Sequence, residues 1–329
     1  MLLTRTPMRV SLFGGGTDIE SFSNIHGGAT FSFSIAQYVY LIGHPLVESK
    51  EILIKYSENE RVADPKKIKH NVFRELLIRY QASGFDIGVT SDVSAGTGLG
   101  SSSSFTVGLS HLLRSNNGLP CFPDQLAKDA CEIEIDILKQ PIGVQDQYVA
   151  AYGGLNLIEV ANKRQVSVRP YVIDSEIEEI LSQNMLLVRV PGARSASQLL
   201  ANQNSRENQE ANLSTLLEMK EMALSGHSIL QSGPKVLGAQ LHYSWMLKKT
   251  LSKDISNLKI DSLYDELLAE GVYGGKLLGA GGSGYFLIVA ERSIIQQILE
   301  KRRTDGILPV NLDRLGSKLI YDSSRDFRV

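Results

Sequence analysis

The sequence predicts an α+β fold, on three observations. Short strand-like runs and amphipathic helical stretches are mixed through the first half of the chain. A strand, a glycine loop and the start of a helix follow one another within residues 85–116. A mostly helical block then runs to about residue 270, before two further strand-like runs.

In order along the chain, residues 10–13, 29–35, 39–43, 52–56 and 85–90 have strand alternation, with a helix over 66–81 among them. Helices are predicted at 101–116 and 124–138, the second with Asp124 as N-cap. Strands at 155–160, 166–169 and 185–190 come next, and the helical block follows. Strands near 276–278 and 286–290, a helix at 294–302 and an extended stretch complete the pattern. The acidic segment 174–179 is the expected boundary, giving an N-terminal domain of residues 1–180 and a second of 181–329.

Size and charge narrow the classes of function. At 329 residues the chain is long enough for two domains with ample core. A formal charge of −2 gives no global attraction to nucleic acid or to a membrane surface. Lys66, Lys67 and Lys69 read as the solvated face of a helix. No apolar stretch reaches the ~18 residues a membrane span needs. Arg5 and Arg9 come too early for a signal peptide, so a cytoplasmic protein is expected. Cys121 and Cys131 form no CxxC pair and are too few for a disulfide framework, which suggests buried thiols.

Residues 94–104 read Ser-Ala-Gly-Thr-Gly-Leu-Gly-Ser-Ser-Ser-Ser. Glycines at 96, 98 and 100 remove every Cβ from one side of a loop, so its N–H groups can approach a ligand closely. Serines at 101–104 stand at the start of a helix, where unpaired N–H groups and the dipole favour an anion. The loop matches neither GxxxxGK[ST] nor GxGxxG. A flexible linker is the alternative, and Leu99 together with the apolar-periodic helix that follows argues against it. HExxH, zinc-type clusters and GxSxG are absent.

Gly-Thr-Gly-Leu-Gly-Ser-Ser resembles the second signature of the GHMP kinases, the superfamily of galactokinase, homoserine kinase, mevalonate kinase and phosphomevalonate kinase. Residues 6–18, Thr-Pro-Met-Arg-Val-Ser-Leu-Phe-Gly-Gly-Gly-Thr-Asp, resemble the first signature, and residues 275–284, Gly-Lys-Leu-Leu-Gly-Ala-Gly-Gly-Ser-Gly, the third. Ser94 and Ala95 replace the proline usual before the loop, and Gly15 and Gly16 replace side chains found in galactokinases. The resemblance implies a two-domain GHMP kinase fold: an N-terminal ribosomal-S5-like domain, a C-terminal ferredoxin-like domain and an active site between them. It also implies ATP and Mg²⁺ as cofactors. Within the superfamily, the Gly-Gly-Gly-Thr-Asp run at 14–18, residues 191–203, and residues 241–249 continuing through 260–264 to 274–282 are similar to bacterial D-glycero-α-D-manno-heptose-7-phosphate kinases, which implies a sugar phosphate substrate. Nucleic-acid and membrane partners are not expected, and a homodimer is compatible with the chain.

The candidate residues divide by the work phosphoryl transfer requires: phosphate donors, a metal carboxylate, a cation and a group to orient the acceptor hydroxyl. Gly96, Gly98, Leu99, Gly100, Ser101, Ser102 and Ser103 would hold the nucleotide. Glu134 falls on the inward stripe of the 124–138 helix with Ala130 and Ile137, whereas Glu132 and Asp136 face solvent. A carboxylate on an apolar face needs a partner, either an arginine or a metal. The resemblance matches Ser102 and Glu134 to the superfamily's magnesium pair. It places Asp146 against the acceptor hydroxyl, although the residues alone allow an ordinary turn aspartate beside Pro141 and Gly143. Arg9 matches the cation of the first signature. Gly15, Gly16, Thr17, Asp18 and Gly281 are the substrate candidates. Arg194 reads either as a contact for a distal phosphate or as a solvated residue at a helix cap. The expected activity is therefore an ATP-dependent sugar 1-kinase acting on a heptose 7-phosphate. The alternatives are another acceptor, such as a hexose, fucose or an isoprenoid alcohol, and a catalytically inactive sugar- and ATP-binding regulator.

Overall fold

Alternation in the first strands sets the architecture of the computed structural model, which describes residues 1–190, 211–302 and 306–323. The first elements are β1 (Leu2–Phe13), α1 (Glu20–His26), β2 (Gly28–Pro45), β3 (Ile52–Lys55), β4 (Asn59–Val62), α2 (Asn71–Arg79) and β5 (Phe85–Ser91). Next come α3 (Ser101–Asn116), α4 (Pro123–Cys131), α5 (Gln145–Tyr152), β6 (Leu155–Ala161), β7 (Gln165–Tyr171), α6 (Ser175–Gln183) and β8 (Met185–Val190). Beyond residue 210 lie α7 (Leu213–Leu224), α8 (Gly226–Gln231), α9 (Pro234–Thr250) and α10 (Leu258–Ala269). They are followed by β9 (Gly274–Leu277), β10 (Gly284–Val289), α11 (Arg292–Lys301), β11 (Ile307–Pro309) and β12 (Lys318–Asp322). Among the described residues no helix is long and apolar enough to cross a membrane.

The larger sheet runs β12-β1-β2-β5-β3-β4, with β6 on β2 and β7 on β6. All its pairs are antiparallel except β3 with β5. The sequence predicts two strands at 29–35 and 39–43, and the structure joins them into the single strand β2 through a bulge. Pro7 of β1 pairs with Tyr38, but Met8 pairs with Ile35, leaving Ala36 and Gln37 extra. Proline has no N–H for the ladder, so the irregularity falls where a donor is already missing. The bend lets the first half of β2 pair with β6 and the second half with β5. In β1, Met8, Val10 and Leu12 are fully buried on one face, which turns Arg9 and Ser11 to the other.

The smaller sheet, β11-β8-β10-β9, is antiparallel throughout. Leu186, Val188, Phe286 and Ile288 pack with Trp245, Ile260 and Tyr264 from α9 and α10 and with Ile295 from α11. Leu187, Leu287 and Val289 belong to the main core. With both faces covered, β10 is buried at every position, and its sequence is a continuous apolar run rather than an alternating one.

Helix boundaries needed three corrections. The expected helix at 66–81 is a single turn at Pro65–Lys67 followed by α2, because Glu60 accepts from the N–H groups of Lys69 and His70 and interrupts the spiral. The expected 124–138 helix starts at Pro123, which suits a first helical position; Phe122 is the N-cap, and Asp124 pairs with Lys128 instead of capping. That helix ends at Cys131, and Glu132–Ile137 continues as a π-helix. The acidic boundary segment is helical: Asp174 accepts from Ile177 N at 2.9 Å and caps α6. Cys131 is buried, as expected, but Cys121 is only half-buried.

The two sheets approach through backbone. Gly98 has φ +79°, and a Cβ there would lie 2.6 Å from the carbonyl oxygen of Leu278. Gly279 in turn would place a Cβ 2.6 Å from Gly98 Cα. Gly96 has a similar φ of +77° but open space around it. Gly96→Ala should therefore cost only the left-handed penalty of about 1–2 kcal/mol. Gly98→Ala should cost clearly more, because it adds a collision with backbone that cannot rotate away. Urea denaturation of both variants measures this. Equal losses would show that the loops do not meet this tightly.

Candidate active site

The second face of β1, the glycine loop and the start of α5 enclose a cleft of about 370 Å³, within the range of small-molecule sites. Arg9 is its fixed point. The guanidinium donates through Nε to Asp146 Oδ1 and through Nη2 to Asp146 Oδ2, both at 2.7 Å, and through Nη1 to the Gly98 carbonyl at 2.5 Å. Arg9 N also donates to the Leu99 carbonyl at 3.0 Å. Asp146 lies in the first turn of α5, with its side chain 27% exposed, so the ion pair is open on the carboxylate side alone.

Asp18 is held beside this pair. Its carboxylate accepts from Gln145 N at 2.9 Å and from Gly16 N at 3.2 Å. Burial raises its pKa; the Gln145 N–H works against this, and the nearby Asp146 charge adds to it. The approach is possible only because residue 143 is glycine: a Cβ there would lie 2.0 Å from Asp18 Oδ2. Gln145 also accepts from Ser11 Oγ at 2.9 Å, tying α5 to β1.

Gly96, Gly98, Gly100, Ser101, Ser102 and Ser103 line the cleft, and so do Gly15, Gly16 and Asp18. Thr17, Leu99 and Gly281 stand behind the wall. Thr17 is fully buried and donates to the carbonyl groups of Gly14 and Ala29, and Leu99 is core. Gly281 packs on the backbone of Ile255. Arg194, with the rest of residues 191–203, lies outside the described residues.

Glu134 is fully buried, as the helical stripe required, whereas Ile137, expected on the same stripe, is 45% exposed at the end of the π-helix; no arginine pairs with Glu134 among the described residues. It accepts from Ser103 Oγ at 2.9 Å, Thr106 Oγ1 at 2.8 Å and Gln147 Nε2 at 2.6 Å. The hydroxyl on Glu134 is thus that of Ser103; Ser102, one residue earlier, is exposed on the cleft. Glu132 and Asp136 face outward, but both are paired rather than free, with Arg79 at 2.6 Å and Arg164 at 2.7 Å.

Two further residues escape the sequence reading. Lys248 and Lys276 are buried on the cleft wall. A signal for Lys248 existed: Leu237, Leu241, Trp245 and Lys248 fall on one helical stripe, the argument that singles out Glu134. Lys276 sits in β9, where every position is buried.

Known proteins resemble this chain in sequence and in fold. Residues 66–154 match the family model of the GHMP kinases N terminal domain. The D-glycero-alpha-D-manno-heptose 7-phosphate kinase of Campylobacter jejuni is 28% identical over 88% of this chain and 89% of its own. A galactokinase of Thermotoga maritima is 23% identical over 90% of this chain and 91% of its own. Among solved structures, a D-glycero-D-manno-heptose 1-phosphate kinase from Bacteroides thetaiotaomicron superposes with a TM-score of 0.79 at 22% identity, covering 98% of this chain and 100% of that one. The mevalonate kinase of Methanococcus jannaschii gives 0.73 at 21%, covering 94% and 98%. These superpositions establish a shared mixed α+β fold.

Burial lifts the Glu134 carboxyl from its ordinary 4.5 to about 7, against the lowering by its three hydrogen-bond donors, and the Asp146 charge adds to the rise. The native state therefore holds this proton more tightly than the unfolded chain does. The stability involved is fully present below pH 4.5 and is lost as pH rises through about 7, a difference of roughly 3 kcal/mol. Metal-free protein should lose stability of this order between pH 5 and pH 8, and Glu134→Gln should flatten that slope. Denaturant titrations across the range check it; an unchanged slope in the variant would place the titration elsewhere.

Proposed function

We propose that this chain is a sugar kinase of the GHMP type that transfers the γ-phosphoryl group of ATP to the anomeric hydroxyl of a heptose 7-phosphate, giving the 1,7-bisphosphate. The observation that carries the reading is the Arg9–Asp146 pair, which is bonded directly to the glycine loop at Gly98 and lines the same cleft. The likeness to the heptose 7-phosphate kinase supports the choice of acceptor, and the galactokinase likeness supports a sugar as its class. We also propose that residues 1–180 form the ATP-binding domain and 181–329 a second domain. The separate smaller sheet from Met185 onward supports this, although β12 reaches back to β1.

The chain's residues divide the reaction between them. Asp146 accepts the hydrogen bond, and then the proton, of the acceptor hydroxyl as its oxygen bonds to the γ-phosphorus and the bond to the ADP oxygen breaks. Arg9 fixes that carboxylate at both oxygens, and its permanent charge lies where negative charge is transferred. Asp18, anchored by two backbone N–H groups, is placed to orient sugar hydroxyls. The glycine loop and the start of α3 offer N–H donors to phosphates.

The buried carboxylate of Glu134, with no cation beside it among the described residues, fits a magnesium site together with the hydroxyl of Ser102, while Ser103 holds the carboxylate in place. No group of three acidic, histidine or cysteine side chains gathers there among the described residues, so phosphate and water oxygens would complete the shell. Bound magnesium would neutralise charge on the phosphate oxygens.

The test is an ATP-dependent phosphorylation assay over a panel of sugars and sugar phosphates. Heptose 7-phosphate should be the preferred acceptor, with the new phosphate on carbon 1. Asp146→Asn should fold and bind nucleotide but lose roughly 10²–10⁴ in turnover, and Arg9→Met should behave alike. Near-normal turnover by Asp146→Asn, with chemistry rate-limiting, would remove Asp146 from this role. Equal use of free sugars would replace the heptose phosphate with a free-sugar acceptor.

A further inference from the structure

Lys248 and Lys276 are the two ammonium groups on the cleft wall that the reaction above leaves without work. Lys248, on α9, is 8% exposed and donates to the carbonyl of Leu277 at 3.2 Å and to that of Gly279. Lys276, on β9, is 3% exposed and donates to the carbonyl of Leu12 at 2.9 Å. An ammonium has three N–H donors, so one on Lys248 and two on Lys276 are unspent among the described residues.

Among the described residues neither lysine has a carboxylate within ion-pair distance. The charges they feel are of their own sign: Arg9 acts on both and Lys248 on Lys276. Burial and this repulsion push Lys248 down to about 7 and Lys276 well below the usual lysine range. Keeping either lysine charged in this desolvated wall is costly, and a bound anion offsets the cost.

The positions indicate which anion. The glycine loop and the start of α3 already offer backbone donors for the nucleotide phosphates. Lys276 is tethered to Leu12, two residues before the Gly14–Asp18 segment that holds Asp18 in the cleft. Lys248 is tethered to Gly279, where the second sheet meets the loop. We propose that Lys248 and Lys276 form a second phosphate subsite, which binds the phosphate that the acceptor itself carries. This rests on the kinase reading and makes a phosphorylated sugar, rather than a neutral one, the substrate class.

Lys276→Met and Lys248→Met keep the aliphatic stem and remove the charge. Each should raise KM for the sugar phosphate roughly ten- to a hundredfold, with KM for ATP within about twofold and kcat within a few-fold. Collapse of kcat with an unchanged acceptor KM would overturn the proposal and put the lysines on the transferring phosphoryl group.

A second measurement needs no turnover. With ADP saturating the nucleotide side, millimolar inorganic phosphate should raise the melting temperature of the wild type and raise that of either variant much less. Equal shifts would overturn the subsite. If no acceptor in the panel is phosphorylated while the lysine-dependent phosphate shift persists, the kinase reading fails and the subsite stands.

Discussion

The guanidinium of Arg9 is the joint on which the cleft depends. Three of its nitrogens reach two segments distant in sequence, α5 at Asp146 and the glycine loop at Gly98, while its own backbone belongs to β1. A lysine could not replace it, because only a planar fork presents two parallel donors to a carboxylate and a third to a carbonyl. The constraint propagates further. Gly98, pinned by Arg9, is also the residue whose Cα touches Gly279, and the Gly279 carbonyl holds Lys248. One side chain of the larger sheet thus sets the position of a loop, a helix start and the edge of the smaller sheet.

The charges around the cleft show an unusual division. Asp18 and Glu134 are buried carboxylates held by neutral donors, and Lys248 and Lys276 are buried ammonium groups held by carbonyls. Apart from the Arg9–Asp146 pair, opposite signs are present there but not joined, whereas elsewhere the protein does join them: Arg114 meets Asp129 at 2.7 Å in a buried pair. Folding alone would favour pairing or apolar replacement. Separated charges are suited to ligands that bring their own, a cation to the acids and phosphates to the lysines, so that substrate binding supplies stabilisation the empty fold lacks.

Much of this was legible in the sequence, and the failures have physical causes. The helix at 101–116 matches α3 because left-handed Gly100 gives it a sharp start and its apolar period is long. The stripe argument found Glu134 even though a π-helix interrupts the spiral, because inward Ile133 and Glu134 lie only two and three residues beyond the regular helix. Boundaries failed where side chains far along the chain decide them, as Glu60 does before α2. The bulge in β2 was not legible, since it follows from Pro7, twenty-nine residues before Ala36 in the strand opposite. Lys248 was legible in principle, but lysine on a helix is read as surface by habit, and its stem can cover apolar area whichever way the head points.

Neighbouring serines show what sequence reasoning cannot reach without coordinates. Successive residues on a helix point about 100° apart, so Ser102 and Ser103 cannot both address one carboxylate. The direction of α3 decides the matter. Thr4 donates to the Gly108 carbonyl at 3.1 Å, and a Cβ on Gly108 would lie 2.8 Å from Thr6 Oγ1, so the helix is pressed against β1 with a fixed rotation. That rotation sends Ser103 and Thr106, three residues apart on one face, inward to Glu134 and leaves Ser102 on the cleft. Ser103 and Thr106 therefore hold the carboxylate in place, and Ser102 is the hydroxyl free to meet a ligand from the open side. A motif of consecutive serines specifies that both hydroxyls exist; the packing of a glycine against a strand specifies which does which.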